Sequence, residues 1–251
     1  MRRGLARLGY ELRRLPGRRR PEHADPRPCA GRILELIGPS GVGKSTLFRS
    51  ASQDLAGDWF LPCDAAELVL DRLDQPPELM EVQRRLLFAK AQRLHRESRD
   101  FWVFAGRLRY GAQVAERDLL MRRRLPRGFA LDEGLFQVFA EELVELDDAD
   151  WSLAVQRRAL VVLLADDADV VAVRALERHR ERLAGGQFRH PTTLDALRRK
   201  AERSGACFRR LAARAQASGN EVLLLRAEDA PAANRERLMA FARMLVKDAT
   251  V

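Results

Sequence analysis

The residues with the most specific chemistry in this chain lie between positions 38 and 45. Gly38-Pro39-Ser40-Gly41-Val42-Gly43-Lys44-Ser45 fits the spacing G-x-x-x-x-G-K-[ST] at every required position. Each residue type answers a need. Glycines let the backbone bend until successive N–H groups point inward and form a concavity for a phosphate anion. A helix beginning at about Thr46 presents its unpaired N–H groups and positive dipole end to the same anion. Lys44 has the reach to neutralise β- and γ-phosphates, and the Ser45 hydroxyl is suited to ligate Mg²⁺. The candidate nucleotide-binding set is therefore Gly38, Pro39, Ser40, Gly41, Val42, Gly43, Lys44, Ser45 and Thr46, with ATP and Mg²⁺ the expected cofactors.

A loop of this kind works with an acidic residue at the end of a neighbouring strand, on the metal side. In Phe129-Ala130-Leu131-Asp132-Glu133-Gly134, three apolar residues lead into two carboxylates and a glycine. Asp132 is the candidate for the metal. Asp132 or Glu133 is the candidate for taking a proton from a substrate hydroxyl or orienting a water. Asp64 is a competing carboxylate. Arg174, Arg178, Arg182 and Arg189 lie in a basic segment that contains Gly185-Gly186. The first three step by four and share one face if helical, which equally describes a solvated basic helix. Lys44, Asp132, Glu133, Arg178 and Arg182 form the candidate catalytic set.

Strands and helices must alternate to place these groups together. Ile33 to Ile37 reads as a buried strand ending in glycine, Thr46 to Leu55 as a helix, and Trp59 to Leu61 as a second strand. Residues 65–98 read as mostly helical, broken at Pro76-Pro77, and residues 112–124 as a helix ending in arginines before Pro126. Phe129 to Asp132 is the third strand. Helices are expected over Leu135–Leu146 and Ser152–Leu164, and a fourth strand over Val170–Val173. Thr193 caps a long helix reaching about Ser218, Gly219-Asn220 turns, and Glu221–Leu225 is the fifth strand. A helix from about Ala232 to Val246 closes the chain. This alternation predicts an α/β fold of three layers, with a central parallel sheet of about five strands and helices on both faces.

The bulk properties set the frame. The chain has 251 residues, enough for one elaborated α/β domain, and its apolar share of 46% suits a packed core. The net charge is +9, yet Lys44, Lys90, Lys200 and Lys247 are the only lysines among 45 basic residues. Such arginine bias is a weak sign of nucleic-acid binding, and no recognition module appears among the basic residues. Cys29, Cys63 and Cys207 and the four histidines are scattered, without disulfide or zinc spacing. No apolar run reaches the length of a membrane span, and the reading is cytoplasmic. Residues 1–28 form a basic arm. Leu5, Leu8, Leu12 and Leu15 give it an amphipathic stretch before Pro16-Gly17, suited to an anionic membrane surface or a protein partner, or to no structure at all. Residues 29–251 form the domain, with a helical insert at about 65–127 and a lid-like segment at about 174–192.

Over roughly residues 32–246 the order of these features resembles the P-loop kinases of nucleosides and nucleotides, particularly the thymidylate-kinase-like group. Leu125 to Asp132 resembles the group's approach to its catalytic strand, Val170 to Arg178 its fourth strand and the start of its lid, and Glu221 to Asp229 its last strand and the loop near the base. The group usually carries Asp-Arg where this chain has Asp132-Glu133. The resemblance implies Mg-ATP-dependent phosphoryl transfer to a small acceptor, such as a nucleoside, nucleotide or sugar, with Arg174, Arg178, Arg182 and Arg189 as lid arginines that neutralise the transferring phosphoryl group and Gly185-Gly186 as the lid's hinge. The alternative is a nucleotide-dependent regulatory NTPase that works through residues 1–28. Leu183-Ala184-Gly185-Gly186-Gln187 is similar to the signature of ABC-transporter ATPases, but it follows the acidic strand instead of preceding it.

Overall fold

A computed structural model describes residues 32–61, 76–98, 100–122, 127–184 and 192–247. The expectations for the arm at 1–28, Asp64, Gly185-Gly186 and Arg189 fall outside these residues. The strands are β1 (Ile33–Ile37), β2 (Trp59–Phe60), β3 (Gly128–Leu131), β4 (Arg158–Leu164) and β5 (Val222–Arg226). The helices are α1 (Lys44–Leu55), α2 (Pro77–Glu97), α3 (Phe101–Met121), α4 (Leu135–Val138), α5 (Ala140–Leu143), α6 (Asp148–Val155), α7 (Ala168–Ala184), α8 (Leu194–Ala217) and α9 (Pro231–Lys247).

All five strands are parallel, in the order β2-β3-β1-β4-β5. Parallel strands need helical crossovers, and those helices cover both faces, so the strands are apolar nearly throughout. Side chains alternate between the two covers. Leu34 and Leu36 of β1 pack with Ala159, Val161 and Leu163 of β4 against α1 and α9, through Phe48, Leu55, Leu238 and Leu245. Ile37 packs with Leu160 and Val162 toward α2, α3, α6 and α8, through Leu86, Val114, Trp151 and Phe208. The expected three-layer α/β architecture is the one observed. Among the described residues, no helix is long and apolar enough to cross a membrane.

The structure corrects the expectations in three places. Residues 158–164 are the fourth strand, not the end of a helix, and Val170–Val173 lies inside α7. A short apolar run reads alike as a buried strand or a buried helix. Here the chain turns at Gln156-Arg157, where Arg157 adopts a left-handed φ of 61°. Asp167 then caps α7, its Oδ1 accepting from the Asp169 N–H at 2.7 Å. In the second case, α3 starts at Phe101, well before residue 112. The carboxylate of Asp100 accepts from the N–H groups of Trp102 (2.8 Å) and Val103 (3.1 Å) to start it. The helix expected over 135–146 is broken into two single turns, α4 and α5.

Candidate active site

β1 lies between β3 and β4, so the loops after these three strands meet at one edge of the sheet. That crevice, beyond the carboxyl ends of parallel strands, is where open α/β sheets place ligands. The loop from Gly38 to Gly43 fills it and runs straight into α1. Its glycines are required by geometry. Gly38 (φ 149°) lies so close to β4 that a Cβ would sit 2.1 Å from the Leu163 carbonyl oxygen. Gly41 (φ 99°) approaches α7, where a Cβ would sit 2.9 Å from the Val171 carbonyl oxygen. Gly43 (φ 111°) is the left-handed residue that starts α1. Among the described residues, the N–H groups of Gly41, Gly43, Lys44 and Ser45 donate to no protein acceptor, which leaves them for an anion.

The Lys44 ammonium folds back over the loop and donates to the carbonyls of Gly38 (2.7 Å) and Pro39 (3.0 Å). Burial pushes it down to about 8; Glu133 and Asp132 pull it back up, and Arg178 adds to the depression. Asp132 and Glu133 follow β3 directly, beside the end of β1. A cavity of about 500 Å³ brings the parts together: Ser40, Gly41, Gly43, Lys44, Ser45, Thr46, Arg49, Asp132, Glu133, Gln137 and Arg178 line it. Arg178 thus reaches the loop from α7. Arg174, one turn before it, lines an adjoining cavity of about 390 Å³ with Thr46, Ser50, Ala227, Asp229 and Asn234. Arg182 lies one turn beyond Arg178 on the same helix.

A third cavity, of about 300 Å³, also has Ser40 in its lining. Glu133 and Gln137 line it too, with Tyr110, Arg107, Lys90, Arg93 and Lys200 from α2, α3 and α8. Glu133 therefore faces both the phosphate cavity and this one, whereas Asp132 faces only the first. Tyr110 shares this cavity with the Glu133 carboxylate, and burial together with that carboxylate pushes the phenol up to about 12.

Sequence reasoning missed Gln137 and what supports it. The Gln137 side-chain oxygen accepts from the Gly38 N–H at 3.0 Å, and its own N–H donates to Glu35 at 2.9 Å. Glu35, fully buried on β1, also receives Arg158 from β4, and Arg158 pairs in turn with Asp118 of α3. Burial raises the Glu35 carboxyl above its ordinary value against the pull of Arg158. The one available signal was a charged residue, Glu35, inside an otherwise apolar strand.

No model of a protein family matches the chain, and no curated protein matches it. Among solved structures, the chain is similar to a deoxyadenosine kinase from M. mycoides with bound dATP. That match has 12% identity and a TM-score of 0.44, over 83% of this chain and 97% of that one. It is also similar to a gluconokinase from Sinorhizobium meliloti 1021, at 14% identity and a TM-score of 0.37, over 87% of this chain and 95% of that one.

Proposed function

We propose that this protein is an Mg-ATP-dependent phosphotransferase acting on a small-molecule acceptor in the cytoplasm. One observation carries the proposal: the phosphate-binding loop and Glu133 line one cavity, and Glu133 also lines a second cavity that shares Ser40 and Gln137 with the first. The first takes the triphosphate, and the second takes the acceptor. The adjoining cavity beside Arg174, Asp229 and Asn234 takes the nucleoside end of ATP.

The roles follow from placement. The free N–H groups of the loop and the Lys44 ammonium hold the β- and γ-phosphates. Lys44 leaves the carbonyls of Gly38 and Pro39 for the anion. The Ser45 hydroxyl and Asp132 carboxylate line the same cavity and are hard oxygen donors, the type Mg²⁺ prefers. Among the described residues, no group of three or more His, Cys, Asp or Glu could hold a metal by itself, so phosphate oxygens and water would complete the shell. Bound there, the ion would neutralise phosphate charge. Glu133, facing both cavities, is the residue to accept the acceptor's hydroxyl proton. The hydroxyl oxygen bonds to the γ-phosphorus while the bond from that phosphorus to the β–γ bridging oxygen breaks, and ADP leaves. Arg178, which lines the phosphate cavity, neutralises the transferring group. The regulatory alternative draws on residues 1–28, outside the described residues, and no feature of this site favours it.

The test is ADP formation with Mg-ATP across an acceptor panel. Turnover stimulated by an acceptor, and reduced roughly 10²–10³-fold in Lys44→Ala, is expected. Tight ATP binding with no stimulation by any acceptor would refute the proposal.

A further inference from the structure

The acceptor cavity is not electrically neutral. Lys90 enters it from α2, Arg107 from α3 and Lys200 from α8. The fourth cation, Arg93, is taken up by Glu142 at 2.8 Å, Glu141 at 3.0 Å and Glu97 at 3.1 Å. Lys90 donates to the Val138 carbonyl at 2.6 Å, which satisfies a proton but leaves the charge. Arg107 and Lys200 form no salt bridge or hydrogen bond among the described residues, and both are exposed to the cleft. Burial lowers the pKa of both Lys90 and Lys200, and Arg107 adds to the depression against the pull of nearby glutamates. The lining as a whole holds four cations, Lys90, Arg93, Arg107 and Lys200, and two carboxylates, Glu133 and Glu141, while Glu142 and Glu97 meet Arg93 from outside it. Arg107 and Lys200 are lining cations that no carboxylate of the described residues pairs with. Like charges gathered from three separate helices repel one another in the empty protein, and a dianion reverses the sign of that interaction.

We propose that the acceptor is a hydroxyl compound that already carries a phosphate monoester. Its phosphate sits between Arg107 and Lys200 with Lys90 behind, and its hydroxyl lies at Glu133. This rests on the phosphotransferase reading and names the substrate class of the same site. Glu133 also lines the phosphate cavity, whereas Lys90, Arg107 and Lys200 do not, and that sets the polarity. An anion placed at Glu133 would be repelled, whereas a hydroxyl there finds its proton acceptor. The existing phosphate is an anchor, and the group transferred from ATP forms a second ester on the same molecule.

Two measurements test this. The first needs no turnover. Inorganic phosphate is titrated into protein saturated with Mg²⁺ and the β,γ-imido analogue of ATP, which occupies the loop. Saturable binding weakened at least tenfold in the Arg107→Ala/Lys200→Ala double variant is expected. No binding, or equal binding by the variant, would overturn the proposal. Both residues are exposed helix positions, and thermal unfolding of the variant checks that it is folded. The second compares ADP formation with matched pairs: a free sugar and its monophosphate, and a nucleoside and its monophosphate. The phosphorylated member should have the higher kcat/KM by at least tenfold. Each single substitution should raise its KM at least tenfold and leave the Kd of the ATP analogue unchanged. Equal use of neutral and phosphorylated acceptors overturns the anchor and leaves the phosphotransferase reading standing. Phosphate binding that depends on Arg107 and Lys200, with no turnover from any acceptor, sustains the anion site and removes the phosphotransferase reading.

Discussion

Glu133 is where the proposed chemistry turns, and its neighbour Tyr110 offers a direct test of its surroundings. A phenol ionises to an anion, so burial and an adjacent carboxylate both oppose ionisation and move it upward from the ordinary 10. Both act on Tyr110, in that order of size, and bring it to about 12. A titration followed by phenolate absorbance should therefore show a component that is still un-ionised at pH 11 and rises toward pH 12. Tyr110→Phe should remove that component. Glu133→Gln keeps the shape and deletes the charge, so it should move the component back toward 10 without abolishing it. A single transition near 10 in the unaltered protein would separate Tyr110 from Glu133.

At the scale of elements, glycines mark where the backbone must come close and where it need not. Gly41 holds the phosphate loop against α7, with a positive φ and a backbone oxygen in the space a Cβ would take. Gly41→Ala should cost about 1–3 kcal/mol of stability and displace the loop, weakening nucleotide binding. Gly106 is the contrast. It lies exposed within α3, with no atom within 4 Å of a Cβ, so Gly106→Ala should stabilise by about 0.5–1 kcal/mol. Urea unfolding of the two variants measures both signs in one experiment.

The same scale shows what the residue pattern could and could not convey. The loop, β1 and β3 were legible because a specific motif and short apolar runs ending in glycine or acid leave little choice. The span 158–173 was not, since Leu160 to Leu164 and Val170 to Val173 are both brief apolar runs. What separates them is the left-handed turn at Arg157 and the cap at Asp167, which only the tertiary context brings out. The start of α3 was hidden by Gly106, Gly111 and the exposed Phe101 and Trp102, which do not form an apolar helical stripe. Gln137, Arg107 and Lys200 escaped notice because their meaning lies in convergence from elements far apart in the chain.

Across the whole molecule, one buried charge system joins the helical layer to the sheet and ends at the phosphate loop. Arg122 pairs with Asp118 at 2.8 Å, Arg158 bridges Asp118 and Glu35, and Glu35 accepts from Gln137, which accepts from Gly38. Gln83 of α2 adds a hydrogen bond to Asp118 at 2.9 Å. Two arginines balance two carboxylates, so the system is neutral as a unit and costly when broken. Arg158→Met leaves Glu35 buried without its cation and should lower stability by about 3–5 kcal/mol. That is a large share of the roughly 5–15 kcal/mol a domain has. Glu35→Gln should be milder, since the amide oxygen still accepts from Gln137. In the Glu35→Gln/Arg158→Met double variant the stranded charge is gone, so its loss should fall short of the sum of the singles by about 1 kcal/mol or more. Chemical unfolding of the four proteins measures that coupling. Additive losses would mean that Glu35 and Arg158 act independently, and the network would then not be what holds Gln137 against the loop.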